Sequence, residues 1–241
     1  MIPFRDENPS STVPFVTRGL VAVNVVLFAF EVWLGEDLNP FLQRAAVIPN
    51  LYVGSDLAFQ VSDLARSFGP GLSARLGVSM FLHGGWMHLI GNMLYLWIFG
   101  DNIEDRFGHA RFLAFYLACG VLASWAHILS DPASALPSIG ASGAIAGVLG
   151  AYVTFFPRAR VVTLLPLGLF SRMVKVPALW FLGFWFATQF LSGLLEPAVK
   201  AAGAGGVAWW AHIGGFACGL LVAFAVGPAG SPNPRRPRRR P

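Results

Sequence analysis

Ser142, His212, His88 and Asn92 are the side chains of this sequence whose types and spacing could carry chemistry. Ser142 stands in Gly140-Ala141-Ser142-Gly143, and His212 stands in Trp210-Ala211-His212-Ile213-Gly214-Gly215. A serine hydroxyl with a histidine base performs acyl transfer. His88 and Asn92 lie four residues apart, so a helix carries both on one face. As donors they would join the Ser142 backbone N–H in stabilising an oxyanion. Each residue alone has a plainer role. His and Asn hydrogen-bond between membrane helices, and a serine caps helices. The serine needs the histidine as a partner before either points to catalysis. A third, acidic member is not visible nearby: Asp131 falls in a loop, and Glu31 ends the first apolar segment. The expected unit is therefore a dyad.

The elements that must position these groups follow from charge. The chain has 241 residues, 55% hydrophobic and only 12% charged. Soluble domains carry about 25% charged residues, so a soluble globular protein is excluded, as is disorder for the bulk of the chain. The two cysteines, Cys119 and Cys218, sit in apolar runs and cannot form a disulfide scaffold or a four-cysteine zinc site. Six apolar segments stand between the charges: 19–35, 76–100, 112–130, 132–157, 176–195 and 201–233. Each approaches the roughly 20 residues that a membrane-crossing helix needs, and a backbone in lipid must satisfy itself. The expectation is an all-α integral membrane protein of six transmembrane helices. The shorter run 161–171, broken by Pro166 and Gly168, is expected at the membrane interface.

Depth and packing bring the serine and histidine together. Ser142 falls in the first turn of the fourth helix, after Pro132 and Pro137. There the N–H groups are unpaired and carry the positive end of the helix dipole. Ser142 and His212 are equally far from the ends of their helices, near Phe156 and Val226. At 1.5 Å per residue, both lie about 21 Å from one membrane boundary. Gly143, Gly147 and Ala151 form a small-residue stripe, and Ala211, Gly215 and Gly219 form another. Such stripes let helix backbones approach closely.

The basic residues predict orientation. Thirteen of the 17 fall on the side that includes both termini, which the positive-inside rule makes cytoplasmic. The net charge of +5 thus reflects topology and not a nucleic-acid surface. The domains read as a tail over 1–18, a membrane domain over 19–228 and a basic, disordered tail over 229–241. The 36–75 loop is too apolar for disorder and is expected to lie on the outer membrane surface as short helices and turns.

The pattern resembles the rhomboid family of intramembrane serine proteases. The resemblance rests on His83-x4-His88-x3-Asn92, Gly140-Ala-Ser142-Gly143 and Ala211-His212-x2-Gly215-x3-Gly219, in that order along the chain. It implies a six-helix rhomboid-like bundle whose site opens on the non-cytoplasmic side. It also implies cleavage of membrane-anchored protein substrates in or near their transmembrane segment, without metal or cofactor. By matching positions, Ser142 is the nucleophile, His212 the base, and His88 and Asn92 the oxyanion donors. His83, Gly140, Gly143 and Gly215 support them. The fifth segment, with Phe181 and Trp185, would be the lateral gate.

Two positions depart from the family. Ala74-Arg75 replaces a Trp-Arg pair, and Ala146 replaces an aromatic that stacks on the histidine. A catalytically silent rhomboid-like protein that binds membrane clients is the alternative. A channel or transporter using the histidines is weaker, because no internal repeat is present. The acidic N-terminal residues argue against a transit peptide, so the expected location is a bacterial plasma membrane.

Overall fold

A computed structural model describes residues 1–53, 71–167, 170–201 and 206–227. The basic tail over 229–241 and positions 54–70 of the long loop lie outside the described residues. The chain is mostly helical. Its long helices are α1 (Phe15–Leu34), α4 (Trp86–Phe107), α5 (His109–Ser130), α6 (Ser142–Phe155), α7 (Ala178–Ala201) and α8 (Trp209–Val226). Short helices α2 (Leu38–Ala45) and α3 (Leu72–Val78) occupy the loop after α1. The described parts of that loop are short helices and turns.

Among the described residues, four helical segments are long and apolar enough to cross a membrane: Phe15–Ala45, His109–Ser130, Ala178–Ala198 and Trp209–Val226. The α6 helix is as apolar but has only 14 residues. It is largely buried among its neighbours, with Ala146, Val148, Leu149, Ala151 and Tyr152 fully inside. One end of α4 carries Asp101, Glu104, Asp105 and Arg106.

The expectation of an all-α fold needs correction. An antiparallel sheet is built from β1 (Ile2–Asp6), β2 (Arg160–Leu167) and β3 (Phe170–Pro177), in the order β1-β2-β3. Positions 161–167 of the stretch expected as an interfacial segment belong to strand β2. Its β-branched Val161, Val162 and Thr163 are poor helix formers and good strand formers, and Pro166 would break a helix. Pairing runs from Arg160↔Pro177 to Leu167↔Phe170. The first residues, expected as a tail, supply the third strand through pairs such as Ile2↔Leu164 and Asp6↔Val161.

Side chains at the end of α4 fasten this N-terminal segment. The Asp105 carboxylate accepts from the Ser11 N–H at 3.0 Å and the Thr12 hydroxyl at 2.7 Å. The Glu104 carboxylate accepts from the N–H groups of Val16 and Thr17, at 2.9 and 2.7 Å. Pro14 has no side chain to cap α1, so a carboxylate from another helix satisfies its first-turn donors.

Asp6 gives this sheet a pH dependence. The Tyr152 hydroxyl donates to Asp6 Oδ2 at 2.5 Å. Burial, with the nearby Asp101 charge adding to it, pushes the Asp6 carboxyl up to about 6 from an ordinary 3.8. A folded-state pKa above the unfolded one means that folding favours the protonated acid. The stabilisation is complete below the unfolded value and is lost as pH rises through about 6. The detergent-solubilised protein is expected to unfold at a higher temperature near about pH 5 than near about pH 7.5. Asp6→Asn should flatten that difference. An unchanged pH slope in Asp6→Asn would assign the effect to another group.

Candidate active site

Ser142 is the first residue of α6, with Ala141 at the cap position. The loop before it is pinned from two sides. Val47 and Ser138 exchange backbone hydrogen bonds at 3.1 and 2.7 Å, and the Gly140 N–H donates to the Ser79 carbonyl at 2.9 Å. Gly140 has φ +127°, a backbone region that favours glycine. A Cβ there would also stand 2.7 Å from His88 Cε1 and 2.8 Å from His88 Nε2. Glycine thus lets the His88 ring lie beside the serine.

His212 enters from α8, in its first turn. Its Nε2 lies 2.8 Å from Ser142 Oγ. Close approach of α6 and α8 makes that contact reachable. A Cβ on Gly215 would fall 2.0 Å from the Gly143 carbonyl oxygen, and one on Gly219 would fall 1.8 Å from that of Gly147. On α6 Gly150 also takes part in the contact, since a Cβ on it would meet the Phe216 carbonyl oxygen at 2.1 Å. The spacing of four used to find the stripe overlooks this third position, which lies three residues after Gly147.

His88 and Asn92 project from α4 into the same cavity as Ser142 and His212, a space of about 720 Å³. The Gly84 N–H donates to His88 Nδ1 at 3.3 Å. A neutral imidazole accepting at Nδ1 carries its proton on Nε2, the atom beside Gly140 and the serine. The Asn92 amide nitrogen is buried and has no hydrogen-bond partner among the described residues. Two donors are therefore left for a ligand in the cavity. Tyr95, Ile145, Leu149 and Trp185 supply apolar wall, and His127 of α5 lines the space as well.

His83 lies outside α4, in the segment leading to it, and not within a helix running through the apolar segment 76–100 as expected. Gly84 and Gly85 interrupt the helical run, and α4 starts only at Trp86. The His83 ring packs edge-on to that of His88, with centroids 5.1 Å apart. Its backbone N–H donates to both Glu31 carboxylate oxygens at 3.1 Å. Glu31 thus serves the loop beneath the site and not the imidazole of His212. Arg75 ties α3 to the end of α2, donating to the carbonyls of Gln43 and Ala46 at 2.9 and 3.3 Å.

Gln189 is the residue that sequence reasoning missed. Its Oε1 lies 2.8 Å from His212 Nδ1. A third member was expected to be a carboxylate, whereas this one is a neutral amide on α7. The available signal was a lone amide within the charge-free aromatic run of 180–190. The aromatic absent at Ala146 is replaced from elsewhere: the Trp185 and Trp209 rings flank His212, with centroids at 6.0 and 6.1 Å. Phe181 and Trp185 also meet Tyr95 of α4, at 6.4 and 6.5 Å between centroids. These two rings form an aromatic ridge between α7 and α4.

Comparison with known proteins fits this geometry. The rhomboid domain model matches residues 71–229. The yeast Saccharomyces cerevisiae protein named rhomboid protein 1, mitochondrial, is 29% identical over 87% of this chain and 53% of its own. The Arabidopsis thaliana RHOMBOID-like protein 5 is 40% identical over 63% of this chain and 53% of its own. The Bacillus subtilis rhomboid protease GluP is 35% identical over 64% of this chain and 26% of its own. The chain spans about half the length, or less, of these relatives. Mitochondrial, plant and bacterial proteins stand side by side among them, so the comparisons give a bacterial plasma membrane no preference. Apolar helices, the three motifs in their order and a domain match over more than half of its length together make this membrane protein a member of the rhomboid family.

Proposed function

We propose that this protein is an intramembrane serine endopeptidase that cleaves membrane-anchored proteins in or near their transmembrane segment. The contact of 2.8 Å between Ser142 Oγ and His212 Nε2 carries the reading. It is within the range a nucleophile and its base require. In the proposed reaction, Ser142 Oγ attacks the scissile carbonyl carbon and its proton passes to His212 Nε2. The resulting oxyanion accepts from the Ser142 N–H, His88 Nε2–H and the Asn92 amide. His212 returns the proton to the leaving amine, and water then hydrolyses the acyl-enzyme through the same base.

Six spans with both termini in the cytoplasm are part of this proposal, supported by the basic residues and, among the described residues, by the long helices α1, α4, α5, α7 and α8 together with the shorter α6. The short α6 would hold Ser142 below the outer surface within a sheath of longer helices. A substrate helix would enter between α4 and α7, where Tyr95 meets Phe181 and Trp185.

Fluorophosphonate labelling of the purified protein in detergent tests the reading. The label is expected on Ser142, and a chelator should leave labelling and cleavage unchanged. His88→Ala and Asn92→Ala should each lower kcat by about 10²–10³, the usual effect of removing one oxyanion donor. A wild-type protein that neither labels nor cleaves a membrane-anchored peptide would point instead to a silent rhomboid-like protein.

A further inference from the structure

We propose that Gln189 is a positioning residue that holds His212 in the tautomer and orientation a base requires, and that it is itself oriented by Thr188. The proposal rests on the serine-protease reading above and adds a third member to the dyad.

A chain of hydrogen bonds with only one consistent direction supports it. The Thr188 hydroxyl lies 2.6 Å from the Trp185 carbonyl, which can only accept. Its single proton is therefore spent there. Towards Gln189 the same oxygen must accept, and Gln189 Nε2 donates to it at 3.1 Å. That turns the other end of the amide, the acceptor Oε1, towards His212 Nδ1 at 2.8 Å. An acceptor at this distance requires a proton on Nδ1. The neutral ring then presents an unprotonated Nε2 to the Ser142 hydroxyl. Reversing the amide would put its NH₂ against Nδ1, move the ring proton to Nε2 and remove the base.

Burial gives the interaction weight. Gln189 is only 8% exposed, and an amide without partners in an apolar setting is costly. Phe186 and Phe190, its near neighbours in sequence, offer it nothing polar from their side chains. Because Gln189 is on α7 and His212 on α8, the base is aligned only while α7 is seated against α8.

Gln189→Met preserves length and packing but removes the acceptor. Outer partners that orient a metal-ligating histidine typically change activity by about 10–100-fold, and an amide orienting a catalytic histidine is expected to act on the same scale. The expected result is a kcat lowered by about 10–100-fold, with KM within about twofold. Fluorophosphonate labelling of Ser142 should slow by the same factor. Thr188→Val, which keeps shape and loses the hydroxyl, should show a smaller loss of the same kind, and Thr188→Ser should restore most of it.

A purely structural role for Gln189 would lower thermal stability and leave kcat and labelling rate unchanged. Either that result in Gln189→Met, or equal rates in Thr188→Val and Thr188→Ser, would overturn the proposal. Failure of the underlying reading looks different, because the wild-type protein itself would then neither label nor cleave.

Discussion

Ser142→Ala and His212→Ala are each expected to abolish cleavage, with kcat lowered by about 10⁴-fold or more. The double substitution should be no worse than either single one. The two side chains act as a unit: without the base the hydroxyl is a weak nucleophile, and without the nucleophile the base has no proton to take. Their contact of 2.8 Å leaves no room for an intervening water. Residual activity should trace to the oxyanion donors, as it does in serine proteases of unrelated folds. Cleavage rates measured on a membrane-anchored peptide in proteoliposomes decide the matter. Substantial cleavage by Ser142→Ala would place the chemistry on another residue.

Gly215→Ala is expected to disable the site without touching a reacting group. The added methyl carbon would lie 2.0 Å from the Gly143 carbonyl oxygen, a backbone atom that cannot rotate away. Helix α8 must then move outward by roughly 1 Å before the contact is tolerable. His212 is one turn from Gly215 on the same helix and would move with it. A 1 Å misplacement of catalytic groups can cost about 10²-fold in rate, and overpacking costs about 1–3 kcal/mol in stability. Gly219→Ala should behave similarly, since its Cβ would meet the Gly147 carbonyl oxygen at 1.8 Å. Gly183→Ala on α7 is the control, because nothing lies within 4 Å of a Cβ there. Cleavage kinetics and unfolding midpoints of the three variants check this. A wild-type kcat in Gly215→Ala would show that close helix approach does not set the Ser142–His212 distance.

The elements were legible wherever charge and apolar length mark a helix. The ends of α6 and α8 fall at or within a residue of the positions read from Pro157 and Gly227, so the shared depth of Ser142 and His212 followed from counting. The small residues on both helices were legible because only glycine and alanine allow such contact. The sheet was not. Its first strand pairs with residues far along the chain, from Ile2 with Leu164 to Asp6 with Val161, and a polar segment next to an apolar helix carries no local sign of such pairing. The start of α4 was misplaced because the absence of charge from 76 to 100 does not mark the bend at Gly84-Gly85.

Types and spacing alone determined that this protein has apolar helices, a serine at a helix start and a histidine at matching depth. Those properties are local, set by the rise per residue and by transfer free energy, and one sequence suffices to read them. Only the tertiary structure decided what faces what. It directed Glu31 to the His83 backbone, brought Trp185 and Trp209 to the flanks of His212, and supplied an amide from α7 where a carboxylate had been sought. The rotation of each helix about its axis and the choice of neighbour depend on packing summed over all the helices, which no single segment encodes.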